Sequence, residues 1–254
     1  MIEAILPADV SAADTFHELP DEQLFPQEEA AVVKAVDKRQ REFRTVRGCA
    51  RIALAQLGLP RPVLVPGASG AVSWPGGIVG SMTHCAGYRA AAVARVVNVL
   101  GLGVDAEPHA ALPVGVLDSV ALPGEQAHLA ELRRTAGGVC WDRLLFSGKE
   151  SVYKAWFPLT GRWLGFEDAL VTIDPVRGTF TAHLQVAGPD VEGRELTDFH
   201  GRWLVRDGLV LTAVIVRHTP TSGPDWAQKQ RRDVLIRTVD PSTPLTDTSQ
   251  RGPR

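Results

Sequence analysis

Between residues 141 and 156, Trp141, Leu144, Leu145, Gly148, Val152, Ala155 and Trp156 recur at helical spacing, so a long helix must lay one continuous apolar stripe against something. Pro158 predicts its stop, giving a helix over about residues 141–157. Two hairpin patterns follow. Ala169 to Ile173 reads as a strand paired with Thr179 to Val186 across Asp-Pro-Val-Arg-Gly, and Arg202 to Val205 pairs with Leu209 to Val216 across Arg206-Asp207-Gly208. A helix with its stripe on antiparallel strands is an α+β arrangement.

An earlier stretch reads as a first lobe. Residues 27–57 read as one helix, entered through Pro26, Glu28 and Glu29 and closed by Gly58 and Pro60. Phe43, Val46, Ala50, Ala53, Leu54 and Leu57 share one stripe, and Arg44, Arg47 and Arg51 line the neighbouring one. Residues 59–75, rich in Pro, Gly and Ser, read as a loop; Gly77 to Met82, Ala90 to Val97 and Leu102 to Glu107 read as short strands completing a first lobe. Val114 to Leu132 carries a fainter helical pattern. After about His218 the chain turns to Pro, Thr, Ser, Asp and Arg around one short patch, Val234 to Ile236, and disorder is expected there.

With 254 residues, 44% apolar, the chain can bury a substantial core. Its formal net charge of −2 gives no general attraction to nucleic acid or to an anionic membrane, so any anion it binds must meet a local basic cluster. Cys49, Cys85 and Cys140 form no C-x-x-C pair and no even set, against a disulfide framework or a thiolate zinc site. No segment reaches the roughly 18 uninterrupted apolar residues of a membrane helix, and the start MIEAILPADV does not read as a signal peptide. A soluble protein of the reducing cytoplasm is expected.

Asp105 and Glu107 stand two apart on a strand, so both carboxylates point to one side of the sheet. Two oxygen ligands on one face suit magnesium, which keeps several waters and completes its octahedron with substrate phosphate. Solvated acids at an exposed strand end would read the same way. On the second helix Glu150 and Lys154 lie four apart opposite the apolar stripe, with Ser147 beside them and Lys149 at the boundary. That edge suits an acid and two amines acting together, and equally an ordinary surface salt bridge. His84 closes a probable strand, where it suits either a phosphate contact or a structural role. No second ligand or orienting acid supports zinc binding or a Cys85–His84 nucleophile. The arginine stripe suits phosphate recognition, or a plain solvated face.

Several blocks in order resemble the Sfp-type 4′-phosphopantetheinyl transferases, especially the compact actinobacterial kind. They are Glu42-Phe43-x-x-Val46-Arg47-x-Cys49-Ala50-Arg51, Gly80-Ser81-Met82-Thr83-His84-Cys85-Ala86-Gly87-Tyr88-Arg89, Gly103-Val104-Asp105-Ala106-Glu107-Pro108, Trp141-Asp142-Arg143, and Phe146-Ser147-Gly148-Lys149-Glu150-x-x-x-Lys154-Ala155-Trp156. The resemblance covers nearly all of the chain before the tail. It implies a pseudo-dimer of two similar α+β lobes, each a small antiparallel sheet packed with a long helix, with the active site in the cleft between them. The lobes are expected at residues 1–103 and 104–218, with a tail at 219–254.

Carried over position by position, the resemblance makes Asp105, Glu107 and Glu150 ligands of magnesium, with manganese the alternative ion. It makes Arg39, Arg47, Thr83, His84, Lys149 and Lys154 contacts to coenzyme A phosphates, and Arg51 a lesser candidate. Glu150 and Lys154 take the catalytic roles. The implied reaction moves the 4′-phosphopantetheine arm of coenzyme A to a serine of an acyl or peptidyl carrier protein, serving polyketide, nonribosomal peptide or fatty-acid synthesis, in a monomer. Exposed arginines of the first helix are expected to meet the carrier's acidic helix. Two departures stand out: the 66–71 loop lacks the basic residue relatives commonly place there, and Phe146 stands where many carry tryptophan. A non-catalytic scaffold of the same fold is disfavoured by the intact Asp105, Glu107, Glu150 and Lys154 set. Another magnesium-dependent phosphoryl enzyme is disfavoured because the chain has no P-loop and no kinase signature.

Overall fold

The computed structural model describes residues 1–67 and 70–218; the expected disorder after His218 and part of the 66–71 loop lie outside them. The chain is α+β, and every strand pairing is antiparallel. A 3-10 turn at Ile2–Ile5 precedes β1 (Ser11–Thr15), α1 (Pro26–Val32), α2 (Asp37–Gln56), β2 (Ile78–Cys85), β3 (Tyr88–Arg95) and β4 (Val99–Pro108). Next come α3 (Val116–Val120), α4 (Pro123–Thr135), α5 (Trp141–Thr160) and a 3-10 turn at Phe166–Asp168. The chain continues with β5 (Ala169–Asp174), β6 (Thr179–Leu184), β7 (Asp190–Val191), β8 (Arg194–Glu195), β9 (Asp198–Arg206) and β10 (Leu209–Arg217). Among the described residues no helix is long and apolar enough to cross a membrane.

The first sheet runs β1-β3-β2, and α2 packs across it through Ala50, Ala53 and Leu54 against Ala91 and Val93. Alternate residues of β3, Tyr88, Ala90, Ala92 and Ala94, enter a second cluster with Leu102, Val104, Ala106 and Leu211. The strand is covered on both faces, which explains its run of alanines. The second sheet runs β4-β10-β9-β6-β5, with the α5 stripe against it. Both expected hairpins form, and Asp207 and Gly208, with φ of 50° and 75°, make the tight turn between β9 and β10.

Three expectations are corrected, and one strand that the sequence pattern did not announce is added. The helix over 27–57 is two helices, because Val36 takes an extended conformation and restarts the chain as the cap of α2. The break lets α1 turn Glu28 wholly inside, where it accepts from Phe25 N, Leu64 N and Arg51. β4 does not complete the first sheet. It is the edge of the second, pairing with β10, and its Val104 and Ala106 N–H groups donate to the hydroxyls of Ser81 and Thr83 on β2, each at 3.0 Å. α5 passes through Pro158 to Thr160, closed by Gly161 at φ 63° with its N–H on Phe157 O at 2.8 Å; one missing donor is tolerated in a last turn. β1, which has no alternating pattern, exists because β3 offers it an edge.

Candidate active site

The site begins with a glycine. A side chain at Gly103 would run into the Ser151 carbonyl and stand 2.8 Å from Ala155 N, so its absence lets α5 lie directly on β4. That approach brings α5 to the face of β4 that carries Asp105. Asp105 is 4% exposed; its Oδ1 accepts from Lys154 Nζ at 2.6 Å and from Thr83 Oγ1 at 3.2 Å, and its Oδ2 is buried with no hydrogen-bond partner. Lys154 also donates to Val104 O at 3.1 Å. It turns to the strand and not along the helix to Glu150, so the i, i+4 surface pair does not form.

Glu107 and Glu150 complete an acidic group. Burial pushes the Glu107 carboxyl above its ordinary value, Asp105 adds to the rise, and Arg143 opposes it. Burial likewise raises Glu150, with Lys154 pulling it back and Asp105 pushing it further. Both acids therefore feel the charge on Asp105. Among the described residues no three His, Cys, Asp or Glu side chains are arranged to hold a metal ion as they stand. The ammonium of Lys154 sits on Asp105, and the guanidinium of Arg143 sits on Glu107 Oε2 at 2.9 Å.

On the edge of the first sheet Arg39 Nη1 donates to His84 Nε2. Guanidinium can only donate, so that imidazole nitrogen is an acceptor and the ring is neutral. Burial lowers the His84 pKa and Arg39 lowers it further, against the pull of Glu42, whose Oε2 is 3.6 Å away. Arg89 approaches the other Glu42 oxygen at 3.8 Å. The charge of Lys154 also reaches His84, so the basic pair and the acidic group are neighbours. Beside them a groove runs between Gly70–Trp74, residues 80–82 of β2, and Glu150, Tyr153, Lys154 and Phe157 of α5.

Other candidates lie elsewhere. Lys149, expected to reach a phosphate, is 4% exposed and committed to Glu125 at 2.8 Å, Val120 O at 3.0 Å and Phe166 O at 2.6 Å. It ties α3, α4 and the 166–168 turn to α5, and burial lowers its pKa. Two of the three stripe arginines, Arg47 and Arg51, turn inward, while Arg44 is half-buried. Arg51 binds Glu22 and Glu28, while Arg47 donates to Leu64 O at 2.8 Å and Phe43 O at 3.3 Å and stacks on the Phe43 ring. Burial brings Arg47 down to about 10, and it remains close enough to Arg39 to feel its charge. Neither is an exposed arginine facing a partner. Thr83 is buried, its hydroxyl shared between Asp105 and Ala106 N.

Sequence reasoning gave no role to Arg143 or Glu42. A signal for Arg143 existed: residues 143, 147, 150 and 154 fall on one helical stripe, the same stripe that carries Glu150 and Lys154. Glu42 gave less, because a charged residue beside an apolar stripe is ordinarily solvated.

Residues 27–94 match the profile of the 4′-phosphopantetheinyl transferase N-terminal domain, and residues 101–207 that of the 4′-phosphopantetheinyl transferase superfamily. The chain is 55% identical over 219 residues to 4′-phosphopantetheinyl transferase Svp of Streptomyces mobaraensis, covering 85% of this chain and 89% of that protein. It is 50% identical to the transferase Npt of Nocardia iowensis over 84% of this chain and 99% of that protein. It is 46% identical to PptT of Mycobacterium tuberculosis over 85% of this chain and 98% of that protein.

Proposed function

The chain belongs to the 4′-phosphopantetheinyl transferase superfamily, an enzyme of compact actinobacterial type, and from that premise we propose that its donor is coenzyme A and that a divalent cation held by Asp105, Glu107 and Glu150 serves the transfer. The observation that carries the cation is the buried, unpartnered Oδ2 of Asp105 beside two carboxyls whose protonation is favoured by the same aspartate. A partly buried site with surplus negative charge and an open oxygen fits a hard cation, magnesium or manganese. When bound, that ion offsets the negative charge of the pyrophosphate.

The chain's own residues supply the rest. The carrier serine's oxygen bonds to the β-phosphorus as the bond from that phosphorus to the bridging oxygen breaks; adenosine 3′,5′-bisphosphate leaves, and the serine's proton passes to Glu150. Burial suits Glu150 to that task by raising its proton affinity. Lys154 turns from Asp105 to the departing phosphate. Arg39, with His84 as its neutral partner and Arg47 beneath, faces a phosphate of the donor, and Thr83 orients Asp105. Lys149 supports the fold and reaches no phosphate.

We place the site in the cleft between lobes 1–103 and 104–218 of a monomeric cytoplasmic enzyme serving polyketide, nonribosomal peptide or fatty-acid carriers. The repeated plan of a long helix over an antiparallel sheet supports the lobes. Intact mass of an apo carrier after incubation with coenzyme A and magnesium tests the reaction. The phosphopantetheine increment is expected with the parent protein, and about a 10²- to 10⁴-fold slower gain with Glu150→Gln. Ordinary turnover by that variant removes Glu150 from the mechanism.

A further inference from the structure

One guanidinium holds two features of this site together. Arg143, in the first turn of α5, donates through Nη1 to Glu107 Oε2 at 2.9 Å, through Nε to Ala110 O at 3.0 Å and through Nη2 to Ala111 O at 3.0 Å. Its neighbour Asp142 accepts from Leu112 N at 3.1 Å, and Cys140 N donates to His109 Nε2 at 3.0 Å. The start of α5 thus grips residues 107–112 at five points. The gripped segment continues as Leu112-Pro113-Val114-Gly115, in which Val114 is wholly exposed, so apolar burial does not hold it in place. Asp105, two residues back on β4, is fixed by other partners, Lys154 and Thr83. Among the described residues the Glu107 carboxylate takes its side-chain hydrogen bond from Arg143.

We propose that Arg143 is a positioning residue for the acidic group: it seats the Glu107 carboxylate through one oxygen and locks the 109–112 segment to that seat, so that ion binding and the order of this segment rise and fall together. A planar guanidinium presents its N–H donors from three nitrogens in fixed directions, a spread that a single ammonium nitrogen cannot repeat. Partners that orient a metal ligand typically change metal affinity by about 10- to 100-fold when removed. The inference rests on the cation-dependent transfer reading above.

The test uses the full chain and manganese. Free ion is counted by its electron paramagnetic resonance signal, and exchange of the Leu112 amide is followed by mass spectrometry or NMR with and without the ion. The parent protein should bind manganese and slow exchange at Leu112 on binding. Arg143→Ala should bind about 10- to 100-fold more weakly, lose the protection at Leu112, and recover part of both when guanidinium ion is added. Arg143→Lys, which keeps charge and bulk, should fall between them. Parental manganese binding in a folded Arg143→Ala protein overturns the inference, as does a loss that guanidinium leaves untouched while Arg143→Lys binds like the parent. A parent protein that transfers phosphopantetheine without any divalent ion, and binds none, overturns the cation reading itself. The two failures are therefore distinguishable.

Discussion

Lys154 Nζ lies 2.6 Å from Asp105 Oδ1, joining the middle of α5 to the edge strand β4 across 49 residues of sequence. The pair is unequal: the lysine side chain is 26% exposed and the aspartate 6%. Asp105 is the buried partner, and its second oxygen has none. An ammonium on a pivoting stem, resting on an acid it can leave, is suited to exchange that acid for a phosphate.

Lys154→Ala should slow transfer by about 10²- to 10³-fold, the usual loss when one preorganised donor to developing charge is removed. It should also lower stability without ions by roughly 1–3 kcal/mol, because Asp105 is left buried with Thr83 alone. Magnesium should then raise the melting temperature of this variant more than that of the parent. Equal shifts in both proteins would separate Asp105 from the ion.

Gly103→Ala tests the contact that makes the site. The added methyl meets the Ser151 carbonyl and Ala155 N, so α5 must lift from β4. Overpacking of this kind costs about 1–3 kcal/mol. Chemical denaturation should report that loss, and transfer should fall more steeply than stability because Lys154 and Glu150 ride on the displaced helix.

Lys149 separates a structural lysine from a phosphate ligand. Lys149→Met alone leaves the Glu125 carboxylate buried without its cation, held only by Leu122 N and Val171 N, and should cost about 3–5 kcal/mol. Adding Glu125→Gln, which removes the buried charge and keeps a side-chain oxygen for those donors, should restore part of that stability. The double variant should keep the parental KM for coenzyme A; a KM raised tenfold in a stable double variant would return Lys149 to the nucleotide.

His84 sets a pH dependence. Its folded pKa lies below the ordinary 6.5, through burial and Arg39, so just beneath that pH the unfolded chain holds more protons than the folded one. The stability that His84 contributes should be full above pH 6.5 and decline as pH falls through the window below it. His84→Gln should flatten that decline, read from denaturant midpoints across about one pH unit below 6.5.

The α5 stripe, both hairpins and the shared face of Asp105 and Glu107 were legible in the sequence because periods of 3.6 and 2 are local properties of the backbone. Trp141, Leu145, Val152 and Trp156 are buried as that period requires. The same reasoning misplaced Arg47, Arg51 and Lys149, because helical spacing says which side a charge occupies and not what lies beyond it. Glu28 drew Arg51 inside, and Glu125 drew Lys149 inside, from 23 and 24 residues away in the chain.

By itself the sequence determined the α5 stripe, both hairpins, the α2 stripe and the acids and bases these carry. The tertiary structure alone decided that β4 joins β10, that Gly103 admits α5, and that Lys154 answers Asp105 and Arg143 answers Glu107. The physical reason is that strand partners, the approach of a helix to a strand and buried charge pairing are fixed by contacts between distant segments, which become defined only once the layers have packed.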